Sequence, residues 1–114
     1  MRMWMVNPKI LCRQHLLGEH SEIHKHRHNF VKKHSIAKRI EMGQIEPASM
    51  ELRHDQLVIE MLNRGYNHKS PYDMPDISYL DEKQRSFKVD SNVALQDLLS
   101  RCEECNKRYK EIIE

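Results

Sequence analysis

The stretch NPKILCRQHLLGEHSEIHKHRHNF, residues 7–30, decides the fold. Asn7 can cap orphan backbone N–H groups, and Pro8 at a first helical position gives up no hydrogen bond that a helix needs. Cys12, Leu16, Ile23 and Phe30 then recur in a narrow arc at 3.6 residues per turn, which predicts a helix from about residue 8 to about residue 32, weakened slightly by Gly18. Within it, residues 15–28 hold two carboxylates and five histidines. Metal binding, a solvated face and acid/base chemistry all use these residue types, so their spacing has to be weighed.

His15, Glu19, Glu22 and His26 follow i, i+4, i+7, i+11, which puts them within about 60° of one another on a helix. They form one polar stripe bordering Cys12, Leu16 and Ile23. A carboxylate on that border is partly desolvated and suited to general acid/base work. The plainer reading is an exposed stripe with ordinary i, i+4 pairing. The stripe alone leaves both open.

Outward from this helix, a second is predicted from near Pro47 to Gly65, with Met50, Leu57, Val58 and Met61 as its buried stripe and Gly65 suited to a left-handed stop. Residues 33–46 are a basic connector. Residues 66–91, with Ser70-Pro71, Met74-Pro75 and Asp90-Ser91, read as an ordered loop. From about Asn92, the spacing of Leu95, Leu98, Leu99, Cys102, Tyr109 and Ile113 predicts a third helix. No alternating strand pattern or internal repeat is present. The expectation is an all-α fold, a single compact domain spanning residues 1–114, built of three main helices with long connecting loops.

A length of 114 residues suits one modest core. No stretch approaches the roughly 20 apolar residues of a membrane span, and the start MRMWMVNP lacks a run of signal-peptide length, so a cytoplasmic protein without membrane contact is expected. Three cysteines argue against a disulfide scaffold. Cys102-Glu103-Glu104-Cys105 reads as a lone C-x-x-C without a second ligand pair, and the alternating His24, His26 and His28 disperse around a helix, so no metal or other cofactor is expected. Charge is uneven. Residues 1–39 carry nine Lys/Arg against two Asp/Glu, a balance of +7, whereas residues 40–114 carry ten against fifteen, a balance of −5. A basic face gains affinity for phosphates by displacing counterions, although a merely solvated face has the same composition.

The runs LCRQHLLGEHSEIH (11–24) and RHDQLVIEMLNRGYNHKSP (53–71), with the start MRMW, resemble the pyrimidine dimer DNA glycosylase family over roughly residues 1–77. The resemblance implies an all-α fold and a chemistry needing two groups, a chain-terminal amine and a glutamate of the first helix. The amine attacks C1′ of the damaged nucleotide, the base leaves, and the resulting imine decays by elimination of the 3′ phosphate. An α-amine suits this because its reference pKa of about 7.7–8 keeps part of it neutral near physiological pH.

Matching the family's pattern onto this chain puts the catalytic glutamate at Glu22 and the nucleophile at Met1, which is normally retained before a residue as large as Arg2. Arg2 takes the phosphate-contacting position, Gln14 and His15 fall on matching positions, and Lys25 falls on a basic DNA-contacting one. Ser21 stands where the family has an arginine. Arg13, Arg27, Lys32 and Lys33 complete the candidates for holding the DNA backbone. The family bends DNA and extrudes a base, a step costing a few kcal/mol. The mixed-charge end SRCEECNKRYKEIIE departs from the family's aromatic, basic C-terminal segment.

The reading is therefore a monomeric DNA repair glycosylase with associated abasic-site lyase activity. It would act in base excision repair on double-stranded DNA containing pyrimidine dimers or abasic sites, with Met1 close to Glu22. Two alternatives on the same helical fold are a non-catalytic nucleic-acid-binding module and a protein-interaction domain using the acidic C-terminal half.

Overall fold

The computed structural model describes residues 2–68 and 70–113. It is helical, with no strand among the described residues: α1 Arg13–Val31, α2 Ala37–Glu41, α3 Met50–Asn63, α4 Glu82–Ser86, α5 Ser91–Arg101 and α6 Glu103–Ile113. Single 3-10 turns precede α1 (Pro8–Ile10) and α3 (Pro47–Ser49). None of these helices is long and apolar enough to cross a membrane.

The first predicted helix is thus two pieces. Asn7 caps the 3-10 turn by accepting from the Lys9 N–H, and the chain straightens through Leu11 and Cys12 before α1 begins. Leu16, Ile23 and Phe30 of α1 pack with Met50, Leu57 and Met61 of α3 in one core, while Val58 is only half-buried. The α3 stop is as expected. Gly65 has φ of 81°, the Tyr66 N–H donates to the Met61 carbonyl at 2.9 Å, and the Gly65 N–H donates to the Leu62 carbonyl at 3.0 Å, so two carbonyls of the last turn find donors beyond it.

The connector 33–46 contains α2, and the loop 66–91 contains α4, whose cap is the Asp81 carboxylate. The third predicted helix is corrected. At Cys102 the backbone turns extended, with φ −121° and ψ 109°, and divides the segment into α5 and α6. Cys102 therefore sits at a joint rather than in the middle of an apolar stripe. The joint lets α6 fold back on α5 and against the Pro8–Ile10 turn.

The chain start is built in as a strap. Met3, Trp4 and Val6 are buried, the Met3 N–H donates to the Gln44 carbonyl at 2.7 Å, and Met5 between them takes φ of 55°, a left-handed conformation costing an L residue about 1–2 kcal/mol. This strap runs beside α1 and sets where Arg2 stands.

Candidate active site

The polar stripe of α1 is far more buried than a border position implies: Glu19 is 2%, Glu22 7% and His26 2% exposed. The three have different fates. Arg53 of α3 reaches Glu19 with both prongs of its guanidinium, Nε to Oε2 at 2.5 Å and Nη2 to Oε1 at 2.9 Å, and also donates to the Val6 carbonyl at 2.6 Å. Such a fork saturates the Glu19 carboxylate and ties α1, α3 and the strap together. His26 is buried with neither ring nitrogen hydrogen-bonded. Burial, then the charge of Arg39, pushes its pKa down to about 4, so it stays neutral and lies outside the cavity described next.

Glu22 is different. Its one ionic neighbour among the described residues is the exposed Lys25 ammonium at 3.6 Å. Its side chain lines an open cavity of about 460 Å³ together with Arg2, Trp4, Gln14, His15, Gly18, Glu19, Met42, Gln44 and Arg101. A cavity of this size falls within the range of small-ligand sites.

Arg2 stacks over the Trp4 ring, 4.2 Å from its centroid, and pairs with Asp97 of α5 at 2.8 Å. Asp97 in turn holds Arg101 at 2.8 Å. An Arg2–Asp97–Arg101 chain of ion pairs, drawn from both ends of the sequence, thus stands beside the cavity. His15 meets the Trp4 ring edge-on, and burial lowers its pKa against the opposing pull of Glu19.

Of the residues singled out in the sequence, Arg2, Gln14, His15 and Glu22 thus come together in one cavity. Met1 lies outside the described residues. Arg13 is exposed, its guanidinium 5.3 Å from the Tyr66 ring centre. Lys25 is exposed beside Glu22, and Lys32 and Lys33 are exposed at the end of α1. Arg27 is engaged elsewhere, donating to the Asp73 carbonyl and carboxylate. The cavity residues missed by sequence reasoning are Trp4, Met42, Gln44 and Arg101, which come from segments far apart in the chain.

Two further clusters were also missed. Cys12 at the start of α1 and His15 one turn on meet Cys102 and Cys105, and the four ligand atoms all lie within 4.8 Å of one another. Burial raises the Cys105 thiol to about 12. Burial works in the same direction on Cys102, but hydrogen bonds from Cys105 and Cys12 hold it below the ordinary thiol value. The C-x-x-C pair is therefore not isolated, because Cys12-x-x-His15 stands opposite it.

On the other side of α1, His20 and His24 meet His54 of α3 and His68 of the following loop, again within 4.8 Å. Burial, then the neighbouring imidazoles, pushes His20 down to about 4. Both sets consist of donors that hold transition-metal ions.

A family model described as pyrimidine dimer DNA glycosylase matches residues 1–74. No curated protein matches the chain, and no solved structure matches it. The matched segment contains the strap, α1, α3 and, of the cavity residues, all but Arg101.

Proposed function

We propose that this chain, which belongs to the pyrimidine dimer DNA glycosylase family, excises damaged pyrimidines through an imine formed by the Met1 amine, with Glu22 as the assisting carboxylate. The observation that carries this reading is that Glu22 shares a cavity wall with Arg2, the covalent neighbour of Met1. Of the two carboxylates in that wall, Glu19 is saturated by Arg53, which leaves Glu22 as the group able to exchange protons with a bound sugar.

The steps divide as follows. The neutral amine attacks C1′, the glycosidic bond breaks with its electron pair leaving on the base, and the base takes up the proton that the attacking nitrogen sheds. Glu22 protonates the opening sugar ring oxygen and stabilises the cationic intermediate, and the imine that results acidifies C2′. Loss of the C2′ proton expels the 3′ phosphate, and water releases the product aldehyde and regenerates the amine. Arg2 and Gln14 supply polar contacts to the phosphate and sugar at the mouth of the site. Trp4, buried beneath Arg2, holds that guanidinium in place through its ring face.

The test is cleavage of two duplexes, one with a cyclobutane dimer and one with an abasic site, by wild type and Glu22→Gln. Glutamine keeps size and polarity but cannot donate or accept the proton, so base release from the dimer falls by about 10²- to 10⁴-fold. Cleavage at the abasic site, which already presents an aldehyde, falls less. Undiminished dimer excision by Glu22→Gln contradicts the assignment. Wild-type cleavage of abasic but not dimer DNA retains the lyase and rejects the dimer specificity, and tight binding of both duplexes without cleavage leaves a binding module.

A further inference from the structure

We propose that Cys12, His15, Cys102 and Cys105 form a structural zinc site that staples α6 to the start of α1. Two x-x pairs face each other, Cys12-x-x-His15 and Cys102-x-x-Cys105, the local spacing from which Cys3His zinc sites are assembled. With Zn–S of about 2.3 Å and Zn–N of about 2.0–2.1 Å, a tetrahedron requires about 3.8 Å between sulfurs and about 3.6 Å between sulfur and nitrogen. Cys12 Sγ and Cys102 Sγ are 3.8 Å apart, Cys105 Sγ is 3.5 Å from His15 Nδ1, and Cys12 Sγ is 3.2 Å from the same nitrogen.

The backbone is also arranged for thiolates. The Cys12 N–H points to Cys105 Sγ at 3.2 Å and the Cys105 N–H to Cys102 Sγ at 3.4 Å, contacts that orient sulfur ligands and stabilise their charge. Cys12 and Cys102 each stand immediately before a long helix, where the helix dipole favours negative charge. The extended residue at Cys102 acquires a reason, since it is the break that brings both C-terminal sulfurs to α1. Ligation through Nδ1 leaves the proton of His15 on Nε2, so the imidazole in the cavity wall is a hydrogen-bond donor and not a base.

The full chain, produced without an affinity tag and kept reduced, is analysed for bound metals and then reconstituted with cobalt alone. Retained zinc, together with thiolate-to-cobalt charge-transfer bands and strong tetrahedral d–d absorption, supports the site. Cys102→Ser weakens the charge-transfer bands, and because that variant can fail on folding, wild-type zinc release by a thiol-blocking mercurial provides the second measurement. A folded, reduced wild type that binds cobalt without thiolate bands, or none at all, overturns the proposal. So does a Cys12–Cys102 disulfide in freshly purified, unreduced protein.

The histidine cluster carries a second proposal independently. We infer that His20, His24, His54 and His68 hold one first-row divalent cation. Four imidazoles from three segments crowd together with ring centres 4.7–5.3 Å apart, and His68 Nε2 is 3.0 Å from His20 Nε2. The His24 Nε2 atom is buried without a partner; the Asp55 carboxylate lies 3.1 Å from His54 Nδ1, a carboxylate–histidine arrangement that orients metal ligands, and His54 Nε2 lies 3.2 Å from the Ser70 carbonyl, a contact that ligation through Nε2 displaces.

Zinc titration of the metal-free chain then finds two sites. His68→Gln removes one of them while the cobalt–thiolate bands persist. Saturation of folded wild type at a single zinc showing those bands overturns this second site and leaves the first standing.

Discussion

Replacing Arg53 with methionine tests whether the Glu19–Arg53 fork is the tie that holds the cavity wall. The side chains are 0% and 1% exposed, so the substitution leaves a carboxylate with neither a cation nor water. Breaking a buried pair from one side costs about 3–5 kcal/mol. The Val6 carbonyl, which loses its 2.6 Å donor, adds to the upper end of that range. Arg27→Met is the matched control, because its partner Asp73 is 90% exposed and such a pair contributes about 0–1 kcal/mol.

For a chain whose total stability is of the order of 5–15 kcal/mol, the first change is severe and the second slight. Urea unfolding followed by circular dichroism reads the difference: with a slope of about 1–3 kcal/mol per molar, the midpoint of Arg53→Met falls by about 2 M. Adding Glu19→Leu to Arg53→Met removes the stranded charge and recovers most of the loss. An Arg53→Met variant as stable as Arg27→Met, or a double variant no better than the single, refutes the argument that an uncompensated buried charge is at stake.

His26→Leu should stabilise the fold at neutral pH by about 1–3 kcal/mol, because it removes two buried ring nitrogens that have no partner; the same urea titration reads it, and destabilisation contradicts the reading. DNA affinity should fall with added salt, and neutralising Arg13 and Lys32 together should flatten the slope of log K against log salt by about 1.8, both side chains being exposed on or beside α1. An unchanged slope in fluorescence-anisotropy titrations removes those two residues from the DNA-facing surface.

The helical periods of α1 and α3, the Pro47 start and the Gly65 stop were legible in the sequence because each is a local signal, whereas Pro8 opens only a 3-10 turn and α1 begins at Arg13. The joint at Cys102 was not legible, since Leu98, Cys102 and Tyr109 keep helical spacing across it. The joint coincides with a tertiary meeting with Cys12 and His15 some 90 residues earlier in the chain. For the same reason Glu19 and Glu22 looked equivalent as neighbours on one stripe. Both line the cavity, and only the arrival of Arg53 from α3 separates the paired carboxylate, Glu19, from Glu22.

The second ligand pair was visible in principle as Cys12-x-x-His15, but it was absorbed into the helix pattern instead of being matched to Cys102-x-x-Cys105. His20 and His24, one turn apart on α1, gave a similar signal. Arg101 and Trp4 left no local mark, because membership of the cavity wall is set by how the strap and α5 fold against α1.

Borohydride trapping tests the central claim most directly. Full-length protein, its free Met1 amine verified by mass spectrometry, is incubated with abasic and with dimer-containing duplexes in the presence of borohydride, and the adduct is digested and sequenced. The account predicts a covalent adduct with both duplexes, carried on the α-amine of Met1 and abolished by N-terminal acetylation. No adduct from folded protein with a free amine, or an adduct mapped to a lysine side chain, contradicts it.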